Sequence, residues 1–178
     1  MDINLLVKLS CRTWSLNILA LLHGGVPGRQ APLLAATSAS RTSFALSLNH
    51  LVQLGLLEKN PGHGHPLRPE FRLTQSGALV AKIANEIVKA VPNDTEFTLL
   101  RRSWTVPILA LTTTPQRFSA IKSDLASVTD RALSKSLYQL EEKAWLRREI
   151  DLTHRMPYPT YQAENEGMKV NQAVGLTN

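Results

Sequence analysis

Cysteine is nearly absent: Cys11 is the only one in 178 residues. One thiol cannot close an intrachain disulfide, and so thiol-poor a chain suits a reducing cytoplasm. Long apolar runs are missing too. The longest, Leu16 to Leu22, stops at His23-Gly24-Gly25, far short of the roughly 20 residues a membrane span needs. Met1-Asp2-Ile3-Asn4 has neither the basic start nor the small-residue cleavage site of a signal peptide. The expectation is a cytoplasmic chain with no membrane partner. Charged residues make up only 19% and apolar ones 43%, enough to build a packed core and too apolar for general disorder.

Catalytic signatures are missing as well. There is no glycine-rich phosphate loop, no Gly-x-Ser-x-Gly elbow and no zinc-protease helix. His63-x-His65 has no cysteine or acid at ligand spacing, so it reads as a solvated loop, and neither metal nor cofactor is expected. The acids from Glu141 to Asp151 read as a solvated surface. An enzyme is not expected.

What is present is a basic excess and a repeat. The net charge is +6 and the pI near 9.8. Residues 1–91 hold nine basic and four acidic side chains, net +5; residues 92–178 hold eleven and ten, net +1. That sign favours phosphate polyanions. Arg12-Thr13-Trp14 followed by Ile18-Leu19-Ala20-Leu21 recurs 90 residues on as Arg102-Ser103-Trp104 followed by Ile108-Leu109-Ala110-Leu111. Pro27-x-Arg29 matches Pro115-x-Arg117, and Leu48, Leu51 and Leu57 match Leu137, Leu140 and Leu146. Pro69, Phe71 and Gly77 match Pro159, Tyr161 and Gly167. The offset drifts only between 88 and 90 and changes between blocks, as loop insertions do. Four blocks in one order indicate a duplication.

Each copy has the same physical grammar. In the second, Trp104 to Thr112 is an apolar helix with Pro107 in its first turn. Arg117 to Leu125 carries Phe118, Ile121 and Leu125 at helical spacing. A turn at Ser127-Val128-Thr129 follows, with Thr129 as N-cap. The third helix, Asp130 to Lys143, has one stripe of Leu133, Leu137 and Leu140, with Arg131, Ser134, Lys135 and Tyr138 off it. Leu146 to Ile150 and Thr160 to Ala163 read as paired strands. In the first copy, Ser40 caps a helix from Arg41 to Leu54 with stripe Phe44, Leu48 and Leu51, and Gly55 ends it. A hairpin from Leu57 to Leu73 follows, tipped by Asn60 to Pro66. Between the copies, Ala78 to Val91 presents Leu79, Val80, Ile83, Ile87, Val88 and Val91 on one face. The predicted fold is mainly α with small β wings, α+β, a tandem winged helix-turn-helix. Its expected parts are a first unit at 1–91, a linker at 92–95, a second unit at 96–167 and a loose tail at 168–178. Trp14, Trp104 and Trp145 are expected in the core.

Both copies resemble the HxlR-type winged-helix regulators, bacterial transcription factors related to the MarR-like group. The resemblance is carried by Arg117-Phe118-Ser119-Ala120-Ile121, Thr129-Asp130-Arg131-Ala132-Leu133-Ser134 and Leu137-Tyr138-Gln139-Leu140-Glu141. Trp104 stands where the family has a tryptophan before an Ile-Leu helix, and Leu73-Thr74-Gln75-Ser76-Gly77 resembles the wing's Leu-Thr-x-x-Gly. Family members have one unit and form homodimers, so the resemblance implies a dimer fused into one chain. Gln30 stands where the family has a phenylalanine, and Ala163-Glu164 replaces the second Leu-Thr, putting Glu164 and Glu166 beside the wing. The family's cysteine lies well upstream of the tryptophan, whereas Cys11 is three residues from Trp14, so thiol sensing does not carry over.

The function this implies is sequence-specific binding of double-stranded DNA by a transcriptional regulator, a repressor, with two recognition helices. Each third helix would enter a major groove, with half-sites roughly 34 Å apart if a pseudo-dyad relates the copies. Candidate contacts are Arg131, Ser134, Lys135 and Tyr138 in the second copy, and Arg41, Thr42, Ser43 and Ser47 in the first. His63, Arg68, Arg72, His154 and Arg155 on the wings would meet phosphates. The family's habits add a small-molecule effector and homo-oligomers, although no residue points to the effector's chemistry. A different class remains open, a winged-helix adaptor that binds protein partners; the +5 of the first copy weighs against it.

Overall fold

A computed structural model describes residues 1–60, 69–91, 93–153 and 155–175. In chain order the elements are α1 (Ile3–Ser10), α2 (Ser15–His23), α3 (Gln30–Ala35), α4 (Arg41–Gln53), β1 (Leu57–Asn60), β2 (Glu70–Leu73) and α5 (Gln75–Lys89). There follow α6 (Asp94–Leu100), α7 (Thr105–Leu111), β3 (Gln116–Arg117), α8 (Phe118–Leu125), α9 (Asp130–Glu142), β4 (Leu146–Asp151), β5 (Tyr158–Ala163) and α10 (Asn165–Val174). The architecture is α+β and winged helix-turn-helix. Two compact units account for the chain: Arg12–Lys89, and Met1–Cys11 joined with Ala90–Asn178.

In the unit of residues 12–89, α5 lies along α2 and α4 packs on α2 and β1. The side chain of Ser40 accepts a hydrogen bond from the Ser43 backbone and starts α4. Phe44, Leu48 and Leu51 are buried. Each fully buried leucine contributes about 1.5–3 kcal/mol, so this stripe seats the helix more firmly than its cap does. Gly55 ends α4 at φ +70, a backbone that favours glycine. Strands β1 and β2 pair antiparallel from Leu57 opposite Leu73 to Asn60 opposite Glu70.

The expected face of α5 needs correction. Leu79 is 69% exposed, and the buried positions are Gly77, Val80, Ala81, Ala84 and Ile87. Ala81 and Ala84 are wholly buried, and side chains that small let α2 and α5 approach closely.

The other unit begins with α1, which packs on α7 and α8 through the fully buried Leu6 and Leu9. Asp2 caps α1 by accepting from the Leu5 backbone at 2.9 Å. The first eleven residues thus pack with the second half of the chain, whereas a unit of 1–91 was expected to hold them. From α7 to α10 the succession of elements is that of α2 to α5, with one addition. The two-residue β3 pairs with β5, giving a three-stranded sheet in the order β3-β5-β4. Its register runs from Leu146 opposite Ala163 to Asp151 opposite Tyr158.

Residues 168–174 are not a loose tail but the body of α10. Val170 and Val174 are buried there, and the Asn171 amide donates to the carbonyls of Leu109 at 2.7 Å and Ala110 at 3.3 Å and to Thr113 Oγ1 at 2.8 Å. The expected linker at 92–95 runs into α6, which starts at Asp94.

Candidate nucleic-acid interface

Helix α9 is the exposed member of a helix-turn-helix. Its start is fixed twice: Thr129 Oγ1 accepts from the Ala132 backbone at 3.2 Å, and Asp130 pairs with Lys122 of α8 at 2.5 Å. An acid in the first turn also suits the positive end of the helix dipole. Leu133, Leu137 and Leu140 are buried, so the opposite face must look outward. That face carries Arg131, Ser134, Lys135 and Tyr138 at positions i, i+3, i+4 and i+7, all exposed. Tyr138 is 60% exposed, and its hydroxyl is hydrogen-bonded to Glu142. That bond, followed by the carboxylate's charge, holds the phenol pKa above its usual value, so it stays a neutral donor. Gln139, at the flank, accepts from Arg102 at 2.7 Å.

Beside α9 the wing adds cations. Arg147 and Arg148 on β4 and Arg155 beyond its end are exposed. Arg147 pairs with Glu149 at 3.2 Å and with Gln162 at 3.3 Å. Arg117 on β3 stacks 3.5 Å from the Tyr158 ring centroid and also donates to the Tyr158 hydroxyl. That hydroxyl donates in turn to Asp151 at 2.6 Å, which pushes the Tyr158 pKa up. Asp151 accepts from the Thr153 backbone at 2.8 Å as well, so the wing's base is tied together through polar groups. Glu166 lies at the start of α10. A backbone hydrogen bond, then Lys169 at 3.3 Å, holds its carboxyl below the usual range. Its charge therefore has a partner, whereas Glu164 is simply exposed.

The sequence-predicted residues of the other unit fare unevenly. Arg41 and Thr42 are exposed at the start of α4 and Ser43 is half-buried. Ser47 is corrected: its side chain is 1% exposed, donating to the Ser43 carbonyl at 3.0 Å and accepting from the Trp14 backbone at 3.4 Å. A hydroxyl so enclosed cannot reach a duplex. Arg72 is exposed but forked onto Glu70, with both Nε and a terminal nitrogen on one carboxylate oxygen at 3.2 and 2.8 Å. His63, Arg68 and His154 lie outside the described residues. Between α3 and α4 is a groove of about 440 Å³ lined by Gln30, Ala31, Leu34, Arg41, Phe44 and Ala45.

Sequence reasoning missed three things. Beyond Thr42, the outward face of α4 consists of Leu46, Asn49 and Gln53, legible as positions opposite Phe44, Leu48 and Leu51. Arg147 and Arg148 were legible as adjacent charges within a strand. Arg117 was read as the start of a helix and of the family-like run rather than as a wing residue, since the strand it occupies is two residues long. The net +5 of residues 1–91 leaves α4 with Arg41 alone, while α9 carries Arg131 and Lys135. Trp14 and Trp145 are buried as expected, and Trp104 is half-buried.

Residues 99–176 match a protein-family model described as HxlR-like helix-turn-helix. The matched stretch contains α7 to α10 with all three strands of the wing sheet. Comparison with curated proteins and with solved structures gave no match.

Proposed function

We propose that the protein is a sequence-specific DNA-binding transcriptional regulator. In this reading two winged helix-turn-helix units in one chain act as a fused pseudo-dimer, and the protein represses by occupying its operator. One observation carries it. The α9 face of Arg131, Ser134, Lys135 and Tyr138 is exposed on the second helix of a helix-turn-helix, within the stretch that matches the family model. A helix of this kind enters a major groove by its N-terminal half, where Arg131 and Lys135 stand, while a wing reaches phosphates or the adjacent minor groove. The exposure of Arg147, Arg148 and Arg155 on the wing supports such contacts. The shared succession of elements from α2 to α5 and from α7 to α10 supports the second unit.

The test is a fluorescence-anisotropy titration of the full chain with a duplex from upstream of its own gene and with a random duplex, each at two salt concentrations. The reading expects tighter binding to the upstream duplex and affinity that falls steeply with salt. Failure to bind either duplex at low salt would overturn it and turn the search to protein partners.

A further inference from the structure

The outward faces of α4 and α9 can be compared position by position. Their buried residues share one spacing: Phe44, Leu48 and Leu51 in α4, Leu133, Leu137 and Leu140 in α9. Two residues before the first of these stands Thr42 in one helix and Arg131 in the other. Two residues after it stand Leu46 and Lys135, and five after it Asn49 and Tyr138. All six are exposed, Leu46 by 48%. The chemistry differs throughout. One face presents two cations and a phenol; the other presents methyl groups and a carboxamide, with no charge among these positions.

Major-groove edges sort such side chains. Guanine offers two acceptors, O6 and N7, which Arg and Lys pair with. Adenine offers an acceptor and a donor, which Asn and Gln pair with bidentately, and thymine offers a methyl group that apolar side chains touch. From this we infer that α4 reads A·T pairs, through Asn49 with Leu46 and the Thr42 methyl, while α9 reads a guanine-containing segment through Arg131 and Lys135. The operator is then non-palindromic, with two unlike halves. The inference rests on the DNA-binding reading and specifies what each helix recognises. The two helices then discriminate different segments, α9 through cations on guanine acceptors and α4 through a carboxamide and methyl groups.

The experiment selects duplexes from a randomised pool with the full chain, then measures binding by L46A, N49A and R131A variants. The expected selected sequence has one A·T segment and one guanine-containing segment in fixed order, with no inverted repeat. N49A should lose about tenfold or more of its preference for the selected duplex over one with the A·T segment changed to G·C, with its salt dependence intact. L46A should lose part of the same preference. R131A should weaken binding to both by about tenfold, since both keep the guanine-containing segment. All three positions are exposed, so an unfolding midpoint close to the parent's certifies each variant. Selection of an inverted repeat, or an N49A variant with undiminished preference while R131A still weakens binding, overturns this inference alone. If the pool yields no bound duplex at low salt, the DNA-binding reading falls and this inference falls with it.

Discussion

Gly167, in the first turn of α10, is a position where adding a single methyl group should do marked harm. A Cβ there would stand 2.0 Å from the Trp145 carbonyl oxygen, 2.8 Å from its carbonyl carbon and 2.9 Å from Leu109 Cδ2. The first two are backbone atoms and cannot swing away. The same carbonyl accepts from the Glu164 backbone at 2.9 Å, and Trp145 itself is fully buried. Relief therefore requires α10 to part from the chain leaving α9, and β4 starts and β5 ends at that junction. Overpacking of this kind costs about 1–3 kcal/mol and more where backbone must move. Alanine's advantage over glycine inside a helix returns at most about 1 kcal/mol. The net loss for Gly167→Ala is then roughly 2 kcal/mol, a fall in Tm of about 5–15 °C for a domain of this size. Thermal unfolding followed by far-UV circular dichroism measures it. Gly24→Ala is the control, since its Cβ would meet nothing nearer than 3.4 Å, and its Tm should stay close to the parent's. A Gly167→Ala protein that melts with the parent would refute the packing argument.

Three more outcomes follow from single positions. Ala144 ends α9 at φ +54, where the corresponding place after α4 is Gly55 at φ +70; Ala144→Gly should raise the urea midpoint, by about 0.5–1 kcal/mol in stability. Asn171→Ala removes the buried amide that joins α10 to the end of α7, and should cost about 1–3 kcal/mol in the same assay. Thr129→Ala removes the α9 cap and should cost about 1 kcal/mol; amide exchange should quicken first in that turn if the cap holds it.

What was legible in the sequence was what local chemistry decides. The leucine stripes of α4 and α9 and the caps Ser40 and Thr129 are set by neighbours within a few residues, and they stand where the spacing put them. Elements whose partners lie far off in sequence were harder. The buried face of α1 meets α7 and α8, about a hundred residues on, and no local period reveals that. Likewise α10 reads as a polar tail until Asn171 is seen to find its acceptors at Leu109 and Ala110. Polarity misled at Ser47, whose hydroxyl is satisfied inside the unit by Ser43 and Trp14. Hydrophobicity misled at Leu79, because alanines can make a helix face when the partner helix comes close. For the candidate site, the α9 residues were legible in full, being the complement of a buried stripe. In α4 the choice of positions near the helix start reached Thr42 but passed over Leu46, Asn49 and Gln53 further along the outward face.

The most direct test of the account is the preference for the upstream duplex over a random one in a variant carrying Arg131→Ala and Lys135→Ala. A variant carrying Lys82→Ala and Lys89→Ala serves as the charge-matched control; both of those residues are exposed on α5. If α9 lies in the groove and these side chains pair with guanine acceptors, the variant should lose about tenfold or more of that preference for each contact removed, and the control none. Equal losses in the two variants, or no loss in the α9 variant, would contradict the assignment of α9 as the DNA-binding helix.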